Sequence, residues 1–252
     1  MEILGVDIGG SGIKGAIVRT DTGEVTTERV RIPTPKPATP EAIAGTLKEL
    51  VATIGYSGPV ACGFPATVNH GIVKTAANID KSWVMVNAEK LFSAALGQPV
   101  FVANDADLAG VAEMKFGAGK GREELKIIVL TVGTGIGSAI FLGGRLYPNS
   151  ELGHLFFKND IAEKYCSSAA RERDGIKWRE FGERFAEYLQ HIELVLQPDL
   201  IIIGGGASKK FEKFCEELHT DAKVIPAQSL NMAGIIGAAI YGEERLKALQ
   251  QP

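Results

Sequence analysis

Cysteine is scarce in this chain: Cys62, Cys166 and Cys215 are the only three in 252 residues, and they lie far apart. That spacing excludes a disulfide framework and a zinc knuckle, and it fits a reducing cytoplasm. No apolar run approaches the roughly 18–20 residues that cross a bilayer, so no membrane partner is expected. A strand pattern begins almost at the first residue, which leaves no room for a signal peptide and makes the cytoplasm the expected location. Excess charge is also missing. Lys and Arg number 27 against 30 Asp and Glu, a net charge of −3 that argues against general nucleic-acid binding. Hydrophobic residues are not lacking: at 45% they suffice for one large core or two modest ones.

Glycine is abundant and unevenly placed. Residues 5–18 read GVDIGGSGIKGAIV, with Gly9, Gly10, Gly12 and Gly15 set between β-branched residues. This predicts strand, tight turn, strand, with several backbone N–H groups aimed at one spot, as an anion requires. An ordinary hairpin would read the same way. About half the chain later, TVGTGIGSAIFL at residues 131–142 repeats the pattern. Each copy is a strand, a glycine turn and a second strand, then a polar turn. The echo predicts a duplicated α/β fold whose two lobes hold a phosphate chain from both sides of a cleft.

The remaining elements follow from periodicity. Strands are expected at 2–7, 13–19, 25–32, 59–64, 99–103, 126–132 and 200–203, and helices at 40–54, 88–96, 106–116, 178–196 and 233–249. PTPKPATP at 33–40 reads as a stiff connector into the first helix. In the helix at 178–196, Phe181, Phe185, Tyr188, Leu189, Ile192 and Val195 form one stripe, read as core. The expected lobes are residues 1–105, joined by the helix 233–249, and residues 106–232.

Candidate chemistry gathers around the turns. Asp7 would repel phosphate at the first turn unless a cation stood between them, which makes it a candidate Mg²⁺ ligand. Lys14 offers the same phosphates a point charge, or is a solvated strand residue. Asn104 and Asp105 follow a buried strand, where α/β folds bind ligands; Asp105 would equally serve as a helix N-cap. Glu151 and His154 flank Gly153 and have the acceptors and donor that sugar hydroxyls want. His70, His191 and His219 read as structural, and Asn78 in KTAANIDKSW adds an amide in a loop. The turn GGGAS, with Gly204, Gly205 and Gly206, opens a further helix, followed by Lys209 and Lys210.

Taken together these motifs resemble the ROK family of sugar kinases, within the ribonuclease-H-like actin/hexokinase superfamily. The resemblance implies that Asp105 is the catalytic base and that Asn78, Asn104, Glu151 and His154 hold the sugar. It implies that Asp7 handles the metal, and that Gly9, Gly10, Ser11, Gly12, Lys14, Thr131, Gly133, Thr134, Gly135 and the Gly204 to Gly206 turn with Lys209 handle phosphates. Most ROK proteins follow the histidine with a zinc-binding cysteine cluster. Here only Cys166 intervenes before Cys215, so no structural zinc is expected. The zinc-free members of this compact length phosphorylate glucose from polyphosphate, some also from ATP, and the resemblance extends that expectation here, with Mg²⁺ and a homodimer. The alternative is an ATP-dependent hexokinase for glucose, mannose or an amino sugar. A ROK repressor would need a DNA-binding domain ahead of the first strand. An actin-like or chaperone ATPase has no use for the sugar set. A basic rim of Lys14, Lys120, Arg122, Lys209 and Lys210 would suit a polyphosphate donor.

Overall fold

The computed structural model describes residues 1–229 and 232–250. The chain divides into two compact units, Met1–Ala112 with Met232–Pro252, and Glu113–Asn231.

In the first unit β1 (Glu2–Gly9) and β2 (Gly12–Arg19) form the expected antiparallel hairpin, with Gly9 opposite Gly12. The expected strand at 25–32 is instead two short ones, β3 (Glu24–Val25) and β4 (Val30–Ile32), both paired with β2. Thr27 Oγ1 accepts the Ile17 N–H at 3.0 Å, so a side chain takes a bond the ladder would otherwise hold. Helix α1 (Pro40–Ile54) begins where Thr39 accepts from Ala42 and Pro40 occupies the first turn, and it ends at the left-handed Gly55. Strand β5 (Val60–Phe64) is parallel to β1. A small hairpin, β6 (Val68–Asn69) with β7 (Ile72–Val73), precedes α2 (Ala88–Leu96), and β8 (Val100–Asn104) runs parallel to β5. The sheet order is β3-β2-β1-β5-β8.

Helix α3 (Asp105–Phe116) leads into the second unit. There β9 (Ile127–Val132), β10 (Ile136–Leu142) and β11 (Arg145–Tyr147) form an antiparallel meander. A small hairpin of β12 (Phe156–Phe157) and β13 (Asp160–Ile161) is followed by the short helices α4 (Glu163–Cys166) and α5 (Ser168–Asp174), and then by α6 (Trp178–Leu196). Strand β14 (Leu200–Gly204), the single turn α7 (Gly205–Ser208) and β15 (Lys223–Pro226) complete a sheet of order β11-β10-β9-β14-β15. The two orders match strand for strand, with β14 parallel to β9 as β5 is to β1. The echo between the glycine turns is therefore a duplication of topology. The α6 stripe is buried as expected from Phe181 to Ile192, but Val195 is 62% exposed, because in the last turn Leu196, four residues after Ile192, takes the core-facing position instead.

Helix α8 (Ala233–Gln250) returns to the first unit and covers its sheet on small residues. A Cβ at Gly5 would lie 2.0 Å from the Ile235 carbonyl oxygen, and one at Gly237 only 1.7 Å from that of Leu108. Backbone meets backbone at both points, so no rotamer change can relieve the clash. Gly45, inside α1, has nothing within 4 Å of its would-be Cβ. In the second unit the buried Glu113 carboxylate accepts from the backbone N–H groups of Ala118, Gln228 and Ser229 at 2.6–3.1 Å, satisfying donors that no regular element serves.

These contacts give a paired prediction for chemical denaturation. Gly45→Ala should stabilise by about 0.5–1 kcal/mol through helix entropy. Gly237→Ala should destabilise by about 1–3 kcal/mol or more, because the backbones of α3 and α8 must part. Equal effects of the two substitutions would contradict the contact.

Candidate active site

In the first unit the hairpin register puts Asp7 opposite Lys14, and Lys14 opposite Arg31. Directly opposed residues of antiparallel strands project to one face, so these charges form a row. Lys14 Nζ donates to Asp7 Oδ2 at 3.0 Å, both side chains about a quarter exposed. The candidate phosphate and metal residues therefore begin as an ion pair. At the bare turn, Gly10 has nothing within 4 Å of its would-be Cβ, while a Cβ on Gly12 would meet the Arg31 guanidinium, 2.6 Å from its Nε. Asn78 lines a cavity of about 140 Å³ together with Gly9 and Gly10.

At the end of β8 the structure separates two roles that the sequence left open. Asn104, not Asp105, supplies most of the cap of α3: its Oδ1 accepts from Ala106 at 2.9 Å and Asp107 at 3.1 Å. Its Nδ2 donates to the Ala66 carbonyl at 3.2 Å, and the residue is buried. The Asn104 amide is thus largely committed to local structure, with one N–H left over for a ligand. Asp105 Oδ1 accepts from its neighbour Ala106 at 2.8 Å. Beside it on β5, Gly63 places no side chain: a Cβ there would come within 3.5 Å of the Asp105 Cα.

The second unit gathers the other candidates. Thr131 is the penultimate residue of β9, and Gly133 donates to the Gly135 carbonyl at 2.9 Å, closing the turn that carries Thr134. Gly204 pairs with Thr131, and Gly205, at φ +72°, would place a Cβ 2.6 Å from the Val132 carbonyl oxygen. The second and third glycine turns are therefore neighbours, with Lys209 at the exposed end of α7. Gly153 is equally constrained, its would-be Cβ 2.1 Å from the Ile136 carbonyl oxygen. That approach sets Glu151 and His154 beside β10. His154 Nδ1 lies 3.4 Å from Glu151 Oε2, and its Nε2 3.7 Å from Glu163 Oε1.

Glu163 was not among the sequence candidates. Its Oε2 accepts the Ile136 N–H at 3.1 Å and stands over Gly135, where any Cβ would collide with it. One carboxylate thus joins the Glu151–His154 pair to the second glycine turn. Burial raises the Glu151 carboxyl above its usual range; His154 opposes the shift and the like charge of Glu163 adds to it. Among the described residues no three His, Cys, Asp or Glu side chains gather closely enough to hold a metal ion, and Cys62 and Cys166 are buried free thiols.

Duplicated sheets of one order, each opening on a strand–glycine turn–strand hairpin, define the ribonuclease-H-like fold of the actin/hexokinase class. The comparisons narrow the class. The ROK family pattern matches residues 3–171. A polyphosphate glucokinase of Mycobacterium tuberculosis is 45% identical over 238 residues, covering 94% of this chain and 89% of its own. The crystal structure of an inorganic polyphosphate/ATP-glucomannokinase from Arthrobacter sp. strain KM superposes with a TM-score of 0.91 at 44% identity, over 99% of each chain. A ROK family glucokinase from Streptomyces griseus, in complex with glucose and AMPPNP, shares the fold, with a TM-score of 0.82 at 24% identity over 97% of this chain and 100% of its own. The chain belongs to the ROK family.

The Glu151 environment gives opposed signs for two substitutions. Glu163→Gln removes a like charge and should lower the Glu151 pKa, whereas His154→Ala removes a compensating one and should raise it; carbon-13 NMR of the carboxyl would read both. Because the folded carboxyl holds its proton more tightly than the unfolded one, Glu151 makes stability fall as pH rises from the ordinary glutamate range through its raised value. Glu151→Gln should flatten that part of the curve. A Glu151 titrating like an exposed glutamate would contradict the geometry.

Proposed function

We propose that this ROK protein is a glucokinase that phosphorylates the 6-hydroxyl of glucose, with inorganic polyphosphate as the main donor and ATP as a second one. The observation that carries the reading is the double attachment of Glu163, to the His154 imidazole and to the glycine turn at 133–135. A hydroxyl-binding group and a phosphate-type turn share one side chain, as a phosphotransferase needs and a filament or chaperone ATPase does not. The relatives named polyphosphate glucokinase and polyphosphate/ATP-glucomannokinase support the donor.

The roles follow from the chemistry of each group. Glu151 and Glu163 accept from sugar hydroxyls, and His154 donates or accepts between them. Asn78 and the remaining Asn104 N–H add amide contacts. Asp105 takes the proton of the attacking hydroxyl as the new O–P bond forms. Phosphoryl transfer has a loose transition state, so positioning and charge neutralisation supply most of the rate. The two glycine turns supply N–H groups, and Lys14 a movable charge that can pass from Asp7 to phosphate. Asp7 fits Mg²⁺, an ion that takes few protein carboxylates and completes its shell with water and phosphate oxygens. When bound there, the ion would neutralise donor charge. An ATP-dependent hexokinase is the second reading, favoured by the apposition of the Gly204 to Gly206 turn and Thr131, which offers a floor for a base. With the first reading go a cytoplasmic location and a homodimer, which sedimentation velocity would test.

Asp105→Asn should lower kcat by about 100-fold or more while glucose affinity stays within a few-fold, because an amide keeps the shape and loses the basicity. Near-normal turnover in a folded variant would remove Asp105 from the role. In wild type, long-chain polyphosphate should outpace ATP at equal phosphoryl concentration, its KM should rise with salt, and EDTA should abolish turnover. Activity with ATP alone would leave the hexokinase reading.

A further inference from the structure

The connector at 33–40 reads from sequence only as a stiff link. In the structure it is fastened to the first glycine turn. Arg31 Nη2 donates to the Ser11 carbonyl at 2.7 Å, and the Thr34 hydroxyl donates to the Gly9 carbonyl. Farther along, the indole Nε1 of the buried Trp83 donates to the Ala38 carbonyl at 2.9 Å, with its ring packed edge-on against Phe64 and Phe92. Lys36 lies between the second and third of these tethers and lines the cavity with Gly9, Gly10 and Asn78.

Most exposed lysines are merely solvated, and three observations set this one apart. Its backbone is held on both sides, so only the side chain, and little of the backbone, has to be ordered when a ligand binds. It has no hydrogen bond or ion pair among the described residues, whereas the cations around a second hollow are neutralised. Around the hollow formed by Phe157, Asp160 and Tyr165, Lys158 pairs with Glu187 at 2.9 Å, Lys164 with Asp160 at 3.3 Å and Arg173 with Asp174 at 2.7 Å. The third observation is the local charge balance. The row Asp7, Lys14 and Arg31 already carries two cations to one anion, with like charges directly opposed on β2 and β4, an arrangement that costs stability without a counter-ion. Lys36 adds a further positive charge at the same turn.

We infer that Lys36 is a binding residue for condensed phosphate, holding, with the amides of the first glycine turn, a phosphate of the donor chain, while Arg31 supports it from the neighbouring strand. The inference rests on the phosphate-donor reading of that turn and deepens it. It assigns donor recognition to a connector that carries no phosphate motif.

The test compares wild type with Lys36→Ala, Lys36→Glu and Lys36→Arg, each checked for an unchanged melting temperature. Binding of tripolyphosphate, long-chain polyphosphate and ATP is measured calorimetrically without sugar at two salt concentrations, alongside steady-state kinetics. Lys36→Ala should weaken polyphosphate binding on the order of ten-fold and reduce the salt slope by about one. Lys36→Glu should weaken it further, Lys36→Arg should retain it, and glucose KM should hold. Loss for polyphosphate alone assigns Lys36 to the chain beyond a nucleoside triphosphate's reach; parallel loss for ATP assigns it to the phosphates both donors share. Unchanged donor affinity and salt slope in both Lys36→Ala and Lys36→Glu, or an effect on glucose alone, overturns the inference while leaving the glucokinase reading intact. Lys36-dependent phosphate binding in a protein that transfers nothing to glucose would do the reverse. A wild type that binds no condensed phosphate overturns both.

Discussion

The register of β1 against β2 governs the chemistry of the first unit. Pairing Gly9 with Gly12 puts Asp7 opposite Lys14, and the further pairing of Lys14 with Arg31 carries the row onto β4. Side chains alternate along a strand, so a slip of one residue would send the carboxylate to one face and its cation to the other. Buried residues on both sides of the hairpin, Val6, Ile8, Ile13 and Ala16 among them, make that slip expensive. The position of a candidate metal ligand is thus secured by the hydrophobic core rather than by the charges themselves, whose partly exposed pairing is worth little on its own.

The second unit uses the same hairpin differently. Its turn has no acid–lysine pair; its polar group arrives from outside the sheet, when Glu163 reaches back to Ile136 and Gly135. A duplicated scaffold has in this way acquired two unlike ends. One is organised around a surface ion pair, the other around a carboxylate, an imidazole and a second carboxylate with raised proton affinity at Glu151. Glycine permits the second of these ends, because at Gly153 and Gly205 backbone passes so close to backbone that no side chain fits.

Much of this was legible in the chain because glycine turns between β-branched runs are local signals. The hairpins at Gly9 and Gly133, the helix capped by Thr39 and Pro40, and the core stripe of α6 all depend on residues a few positions apart. Glu163 was illegible for the opposite reason. Its partners lie nine and twenty-seven residues upstream, beyond a hairpin of two-residue strands too short to leave a periodic trace. The division of labour between Asn104 and Asp105 was hidden as well, since either can cap a helix and only the Ala66 carbonyl decides which one turns inward. Strand 25–32 failed because a threonine hydroxyl can replace a ladder bond, which no hydrophobic pattern records.

The return of α8 to the first unit has a consequence for biosynthesis. Ile3, Ala16, Ala61 and Phe101 are buried against Ile235, Ala238 and Ala239, residues translated more than a hundred positions later. Until those residues leave the ribosome, one face of the first sheet has no cover, while the whole of the second unit is made and can fold. The nascent chain therefore carries an open apolar surface through about half of its synthesis, from the end of β8 to the start of α8, the condition under which chaperones are recruited and aggregation competes with folding.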